Sequence, residues 1–413
     1  MAITRSYQWQ ALDVGDAADQ SHDDTGIIRV GLIGFGVMGN DTLKNLLARE
    51  DVAITALCDI DSERLAKAAA QVTEARGADT FECFHDFREL NRSESTDAVI
   101  VSTPDHWHAL QGIDAMRSGK DVYIEKPLTL TIAEGRRISD VATETGRVCQ
   151  TGSQQRSSRE FRHACELIRN GHLGTLQSVD ICIPKNNRTS DSVGDPEPVP
   201  SGFDYEMWLG PAPYRPYHSE GCHYAFRFIS DFSGGQLTNW GAHNLDIVQW
   251  ALGTDTSGPI RVQGTGSFPA GGLFDTPDDI DVTLEYANGV TVRCTTGGPH
   301  CRFVGSDGTL TVGRGHFKAI PASIGDITLE PDAIRLYRSD DHMGNFFECV
   351  RTRQQPVCPP ETGHRSATVC HLANIAVRLG RPLEWDPAGE CFINDDEANA
   401  MRSRPMRAPW SLD

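Results

Sequence analysis

The 413-residue sequence has no excess of basic charge, no closely paired cysteines and no long uninterrupted apolar run, and each absence removes a class of function. Lys and Arg number 38 against 57 Asp and Glu, a net charge of -19 that repels nucleic acid and anionic membrane surfaces alike. The 12 cysteines include no C-x-x-C pair, so neither a zinc knuckle nor a redox motif is spelled out, and several lie in apolar stretches as reduced buried thiols do. No segment is long and apolar enough to span a bilayer, and the first 25 residues lack the basic-then-apolar order of an export signal. A reducing cytoplasm is the expected setting.

What is present is organised in two parts. The length favours two cores, so two domains are expected. Residues 1–25 are polar and acidic (Asp13, Asp16, Asp19, Asp23, Asp24) and read as an arm outside the first domain. From 26 to 151, short apolar runs at Ile27–Ile33, Ala53–Cys58, Ala98–Ser102, Asp121–Ile124 and Arg147–Gln150 alternate with amphipathic stretches, which predicts an α/β, doubly wound parallel sheet. From 152 to 413 a helix near Ser158–Asn170 leads to longer alternating strands, with Asn288-Gly289 as a hairpin signal and a second hairpin around Gly308. This part is expected to be α+β with a large, mostly antiparallel open sheet whose free face makes a homodimer or homotetramer the expected assembly.

Gly34, Gly36 and Gly39 form a G-x-G-x-x-G turn between an apolar strand and a helix, the context a dinucleotide's phosphates require. Gly34 permits the turn, Gly36 lets the backbone approach the pyrophosphate, and Gly39 lets the helix pack on the strand; Phe35, Val37 and Met38 complete the cradle. Asp59, followed by Ile60, ends the second strand where a carboxylate accepts ribose hydroxyls and repels a 2′-phosphate, which favours NAD over NADP. Asp61 reads as a helix N-terminal charge. Thr103, Pro104 and Asp105 end the next strand and are expected to line the cofactor, with His108 reaching the ribose or nicotinamide. His106 reads as a surface histidine, and with no third ligand near His106 and His108 no metal is expected.

Two further segments carry acid–base chemistry. Glu125-Lys126-Pro127 follows the strand Asp121–Ile124, and a lysine partly desolvated beside a cationic nicotinamide loses its proton more readily than in water. The segment from Ser233 to Asp246 enters an apolar helix through Gly234 and Gly235, with His243 in its first turn. A histidine there suits proton exchange with a hydroxyl.

Together these segments resemble the Gfo/Idh/MocA oxidoreductases, over nearly everything from Ile27 to Trp410. Trp208-Leu209-Gly210-Pro211-Ala212-Pro213 and Arg407-Ala408-Pro409-Trp410 resemble its sugar-directed branch. The resemblance implies a Rossmann domain followed by an α/β domain, NAD(P) between them, and Lys126 with His243 as the catalytic pair. It places Gln154 and Arg156 near the bound molecules, Gln154 counted with Glu125 and Lys126 among the cofactor contacts. Where members commonly carry an aspartate four residues before the histidine, this chain has Asn239, an amide that can orient a hydroxyl but cannot take its proton.

The leading expectation is an NAD-dependent oxidoreductase acting on a secondary hydroxyl of a sugar, glycoside or polyol. His243 takes the proton, Lys126 polarises the oxygen, Asn239 orients the substrate, and Arg156, Trp240 and Tyr224 contact it. Two alternatives stand beside it: a redox-neutral enzyme retaining NAD for glycoside cleavage or epimerisation through a transient keto-sugar, and a cofactor-binding sensor or structural subunit without turnover.

Overall fold

The computed structural model describes residues 26–413; the expected acidic arm, 1–25, lies outside the described residues. The first half runs β1 (Ile28–Ile33), α1 (Val37–Leu47), β2 (Val52–Cys58), α2 (Ser62–Arg76), β3 (Glu82–Phe84), α3 (Phe87–Arg92), β4 (Ala98–Val101), α4 (Asp105–Arg117), β5 (Asp121–Ile124), α5 (Ile132–Thr145) and β6 (Cys149–Thr151). Its strands form one parallel sheet in the order β3-β2-β1-β4-β5-β6. The order reverses between β1 and β4, whose ends are level (Ile33 opposite Val101), so their connections open a crevice there. β4 and β5 are buried at every position, as strands covered on both faces must be.

The second half runs α6 (Arg159–Arg169), β7 (Leu176–Ile183), α7 (Tyr205–Leu209), α8 (Gln236–Asn239), α9 (Gly241–Leu252), β8 (Arg261–Ser267), β9 (Asp279–Glu285), β10 (Thr291–Thr296), β11 (His300–Gly305), β12 (Thr309–Gly313), β13 (His316–Ile320), α10 (His342–Thr352), α11 (Pro360–Leu379), β14 (Leu383–Asp386), β15 (Cys391–Phe392) and α12 (Asp396–Ala400). The strands form a nine-stranded sheet, antiparallel except where β10 runs parallel to β7. Both expected hairpins form, β9 with β10 and β11 with β12. Helices cover one face of this sheet; on the other, side chains such as Arg293, Asp281, Arg302 and Asp180 pair across strands in contact with solvent.

The halves interlock. Phe346, Phe347, Cys349 and Val350 of α10 belong to the core beneath the parallel sheet, and Trp410 of the C-terminal tail packs 4.7 Å from Trp107 of α4. The two segments that resemble the sugar-directed branch meet there: the Arg407 amide and its Nε donate to the carbonyls of Pro211 and Gly210. His106 is buried rather than superficial, because its Nε2 donates to the Trp208 carbonyl at 2.9 Å, and Trp107 Nε1 donates to the same oxygen at 3.1 Å.

Arg156 must also be reassigned. Its guanidinium, with 2 % of the side chain exposed, lies on Asp246 of α9 at 2.8 Å and Asp255 at 2.7 Å, and it stacks over Trp250. All its reach is spent inside the second core, so it holds the crossover between the halves and cannot meet a substrate. Removing it leaves Asp246 buried with only the Ser366 hydroxyl as a partner. Arg156→Ala is therefore expected to lose about 3–5 kcal/mol of stability in urea unfolding, while the folded fraction keeps its affinity for NADH.

Candidate active site

The crevice beyond β1 and β4 is walled on one side by the glycine turn and the ends of β2, β4 and β5, and roofed by the long excursion between β7 and α8. Gly34, Phe35, Gly36, Val37 and Met38 line it, as do Asp59, Ile60, Thr103, Pro104, Asp105, His108, Glu125 and Lys126. Gly39 sits behind the turn, where a Cβ would strike the Gly34 carbonyl oxygen, so its role is the close packing of α1 on β1. At Gly36 an added Cβ would meet no atom within 4 Å, and α1 begins there with no side-chain cap. Its first N–H groups are thus open to an approaching phosphate, and the residues present fit a dinucleotide.

The Asp59 carboxylate accepts hydrogen bonds from the Phe35 and Asp61 amides at 2.7 and 2.9 Å, which sets it between the glycine turn and the start of α2. Burial pushes its pKa up, and the two amides and nearby Arg64 oppose that rise. Asp61 caps α2 by accepting from the Glu63 and Arg64 amides, the role its position suggested. His108 lines the crevice, but both ring nitrogens are engaged, with the carbonyls of Pro127 and Thr103 at 2.8 and 2.9 Å. It braces the turn instead of offering a hydrogen bond to a ribose. Gln154 lies behind Glu125, donating to its Oε1 and to the Tyr123 hydroxyl, both at 3.1 Å.

At the inner end, Lys126 Nζ donates to Asn239 Oδ1 at 3.0 Å and to the Asn239 backbone carbonyl at 3.2 Å. The amide is held in turn, its Nδ2 donating to Gln236 Oε1 at 3.0 Å. Burial lowers the Lys126 pKa to about 8; Glu125 and Asp105 pull it back up, while Arg227 and Arg314 repel the proton. Asp105 accepts from the Ser233 hydroxyl at 2.5 Å, and burial raises its pKa. His243 is buried, and its Nδ1 has no hydrogen-bond partner among the described residues. Its pKa is held well below the usual histidine value, first by burial and then by Lys126 and Arg314, so the ring is neutral at pH 7.

Of the remaining expected contacts, Tyr224 lines the crevice, its ring under Arg227 and its hydroxyl accepting from Asn187 Nδ2 at 2.9 Å. Trp240 packs at the edge of the second core, its ring 6.0 Å from that of His243 and beneath the Arg314 guanidinium. The residues that sequence reasoning missed come from the roof: Phe203, Met207, Trp208, Phe226 and Arg227. The roof is tied to the wall by backbone bonds, Ser62 N–H to the Gly202 carbonyl at 2.9 Å and Asp204 N–H to the Ile60 carbonyl at 3.1 Å. The aromatic density between Phe203 and Phe232 was the available signal.

Residues 28–153 match the family model described as an oxidoreductase family, NAD-binding Rossmann fold, and residues 185–412 match the Gfo/Idh/MocA C-terminal alpha/beta domain. The scyllo-inositol 2-dehydrogenase (NAD(+)) of Bacillus subtilis is 24% identical over 375 residues, 87% of this chain and 96% of that protein. The alpha-N-acetylgalactosaminidase of Shewanella oneidensis is 33% identical over 153 residues, 36% of this chain and only 33% of that protein. Among solved structures, the WlbA dehydrogenase from Bordetella pertussis, in complex with NADH and UDP-GlcNAcA, superposes with a TM-score of 0.66 at 19% identity, covering 87% of this chain and 99% of that one.

Since Gly36 has φ -70°, an alanine there is strain-free, and its methyl group would occupy only the phosphate's approach. Gly36→Ala is expected to weaken NADH binding by about tenfold or more in a fluorescence titration, with the thermal midpoint unmoved.

Proposed function

The chain belongs to the Gfo/Idh/MocA family of NAD-binding oxidoreductases, and we propose that it transfers hydride between the nicotinamide and a secondary hydroxyl-bearing carbon of a sugar or polyol, with Lys126 as the group that exchanges the hydroxyl proton. The cofactor supplies the hydride acceptor or donor when bound. The observation that carries this reading is the geometry at Lys126 Nζ, whose two hydrogen bonds both go to oxygens of Asn239. A neutral amine has two N–H groups, so with both donated to Asn239 its lone pair is left for a third direction. A pKa of about 8 makes that neutral form accessible near physiological pH.

This reverses the division of labour expected from the sequence. His243, held neutral by burial and by the cations around it, is a weak proton acceptor but a sound hydrogen-bonding partner for the same substrate oxygen. Asn239 is the positioning residue: it fixes the amine and, being uncharged, does not restore the lysine's proton. The B. subtilis relative is named for scyllo-inositol, the Bordetella structure holds a nucleotide-linked sugar acid, and another solved relative is a levoglucosan dehydrogenase, which supports a polyhydroxylated substrate.

The pH dependence follows from the sign of the Lys126 shift. The amine loses its proton as pH rises through about 8, so kcat/KM for alcohol oxidation climbs and levels off above that pH. In Asn239→Asp a carboxylate beside Nζ stabilises the ammonium, and the rise moves to higher pH. Lys126→Met is expected to lower kcat by at least about a hundredfold with NADH affinity largely retained. A flat pH profile in the wild-type enzyme, or full activity in Lys126→Met, removes Lys126 from this role.

A second reading has one structural observation in its favour. The roof is hydrogen-bonded to Ile60 and Ser62, just past Asp59, so the adenosine end of a bound dinucleotide would be enclosed, as suits a cofactor that is kept and recycled in a redox-neutral reaction. Protein purified without added nucleotide and then denatured would release near-stoichiometric NAD or NADH, detected by mass spectrometry. Recovery of an empty, readily reloaded protein would eliminate retention.

A further inference from the structure

Two cations, Lys126 and Arg227, line the cleft, and a third, Arg314, stands over Trp240 beside the cleft-lining Asn239; among the described residues none of the three makes an ion pair with a carboxylate. Lys126 Nζ is bonded only to the two Asn239 oxygens. Arg227, on the roof, uses one guanidinium nitrogen on the Tyr224 carbonyl at 2.9 Å and otherwise stacks on the rings of Tyr224 and Phe226. Arg314, in the turn between β12 and β13, makes no hydrogen bond or ion pair among the described residues and rests 4.9 Å above the Trp240 ring. Arg227 lines the cleft together with Lys126 and Asn239, and Arg314 stands over Trp240, the residue that follows Asn239 and whose ring lies 6.0 Å from that of His243, although the two arginines come from segments nearly ninety residues apart in sequence.

This concentration runs against the rest of the chain. Acidic residues outnumber basic ones, and several buried or half-buried arginines elsewhere are paired with carboxylates, as Arg156, Arg136 and Arg365 are. The two acids that face Lys126 have other hydrogen-bond partners, Asp105 the Ser233 hydroxyl and Glu125 the Gln154 side chain and the Lys126 amide. Asn239 contributes an amide where a carboxylate would have neutralised one of the three charges. A neutral sugar has nothing with which to compensate them. A guanidinium with free N–H groups presents a planar fork that matches a carboxylate or phosphate.

We propose that the substrate is an anionic sugar or polyol, whose carboxylate or phosphate ester is held by Arg227 and Arg314 while its secondary hydroxyl faces Lys126. The proposal rests on the reading that this cleft binds a sugar-like alcohol beside the nicotinamide, and it adds the charge of that molecule. The arginines provide both affinity and selection, since a neutral analogue would leave them desolvated and unpaired.

The test is calorimetric titration of the NADH-loaded protein with matched sets in the gluco, galacto and manno series: the hexose, the hexuronate and the hexose 6-phosphate. At least one anionic member is expected to bind about tenfold or more tightly than its neutral counterpart, and whether the acid or the phosphate ester does so identifies the anion. That preference should weaken with added salt and fall about tenfold in Arg227→Gln and in Arg314→Gln, with Arg314→Lys recovering part of it. Equal binding of neutral and anionic members by the wild-type protein overturns the proposal without recourse to any variant, as does a preference that survives the double glutamine substitution. Failure of the dehydrogenase reading would look different: anion preference intact by calorimetry, but no change in nicotinamide absorbance with any sugar.

Discussion

The carbonyl oxygen of Trp208 accepts two hydrogen bonds, from the imidazole of His106 and the indole of Trp107, and the shape of the cleft depends on it. Burial holds His106 neutral, with a pKa of about 3, which leaves it a donor through Nε2. Losing both donors would strand a buried carbonyl at a cost of about 1–3 kcal/mol, so the roof has one favoured seat on α4. From there a chain of contacts runs inward. Asp105, in the first turn of α4, accepts from Ser233; Gly235 starts α8 two residues later; and α8 ends at Asn239, which holds Lys126. A fixed roof and a fixed Lys126 amine are thus parts of one construction.

Electrostatics inside that construction are decided by burial. For Lys126, desolvation is the largest influence, and the two neighbouring carboxylates would be expected to cancel it. They do so incompletely, and burial raises the pKa of Asp105 and of Glu125 as well. Arg227 and Arg314 push in the same direction as burial, and an anionic substrate would counter them only once bound.

The parts legible from sequence were those whose meaning is local. The glycine turn, Asp59 and Glu125-Lys126-Pro127 each follow a strand directly, so strand, turn and helix fix their placement without reference to distant residues. Gly234 and Gly235, the latter with φ +70°, lead into the short α8 rather than into the helix of His243, which sits in the first turn of the following α9. Arg156 misled because its partners, Asp246 and Asp255, lie ninety or more residues away and nothing in the spacing announces them. His106 misled for the same reason, its acceptor being the carbonyl of Trp208. The six-stranded sheet ends with β6 at Thr151 and the nine-stranded sheet begins with β7, yet α10 returns to the first core, since a helix's apolar stripe does not say which core it will cover.

The roof also bears on which nicotinamide cofactor fits. Gly202 and Asp204 bond to Ser62 and Ile60, the residues that flank Asp61 just past Asp59, and Asp61 bridges to Phe203. The Asp59 carboxylate beside this closure would repel a 2′-phosphate, which favours NAD. Each backbone bond contributes only about 0.5–1.5 kcal/mol, so the resistance to opening comes mainly from the aromatic cluster of Phe203, Trp208, Tyr217, Phe226 and Phe232, which must be exposed when the roof lifts.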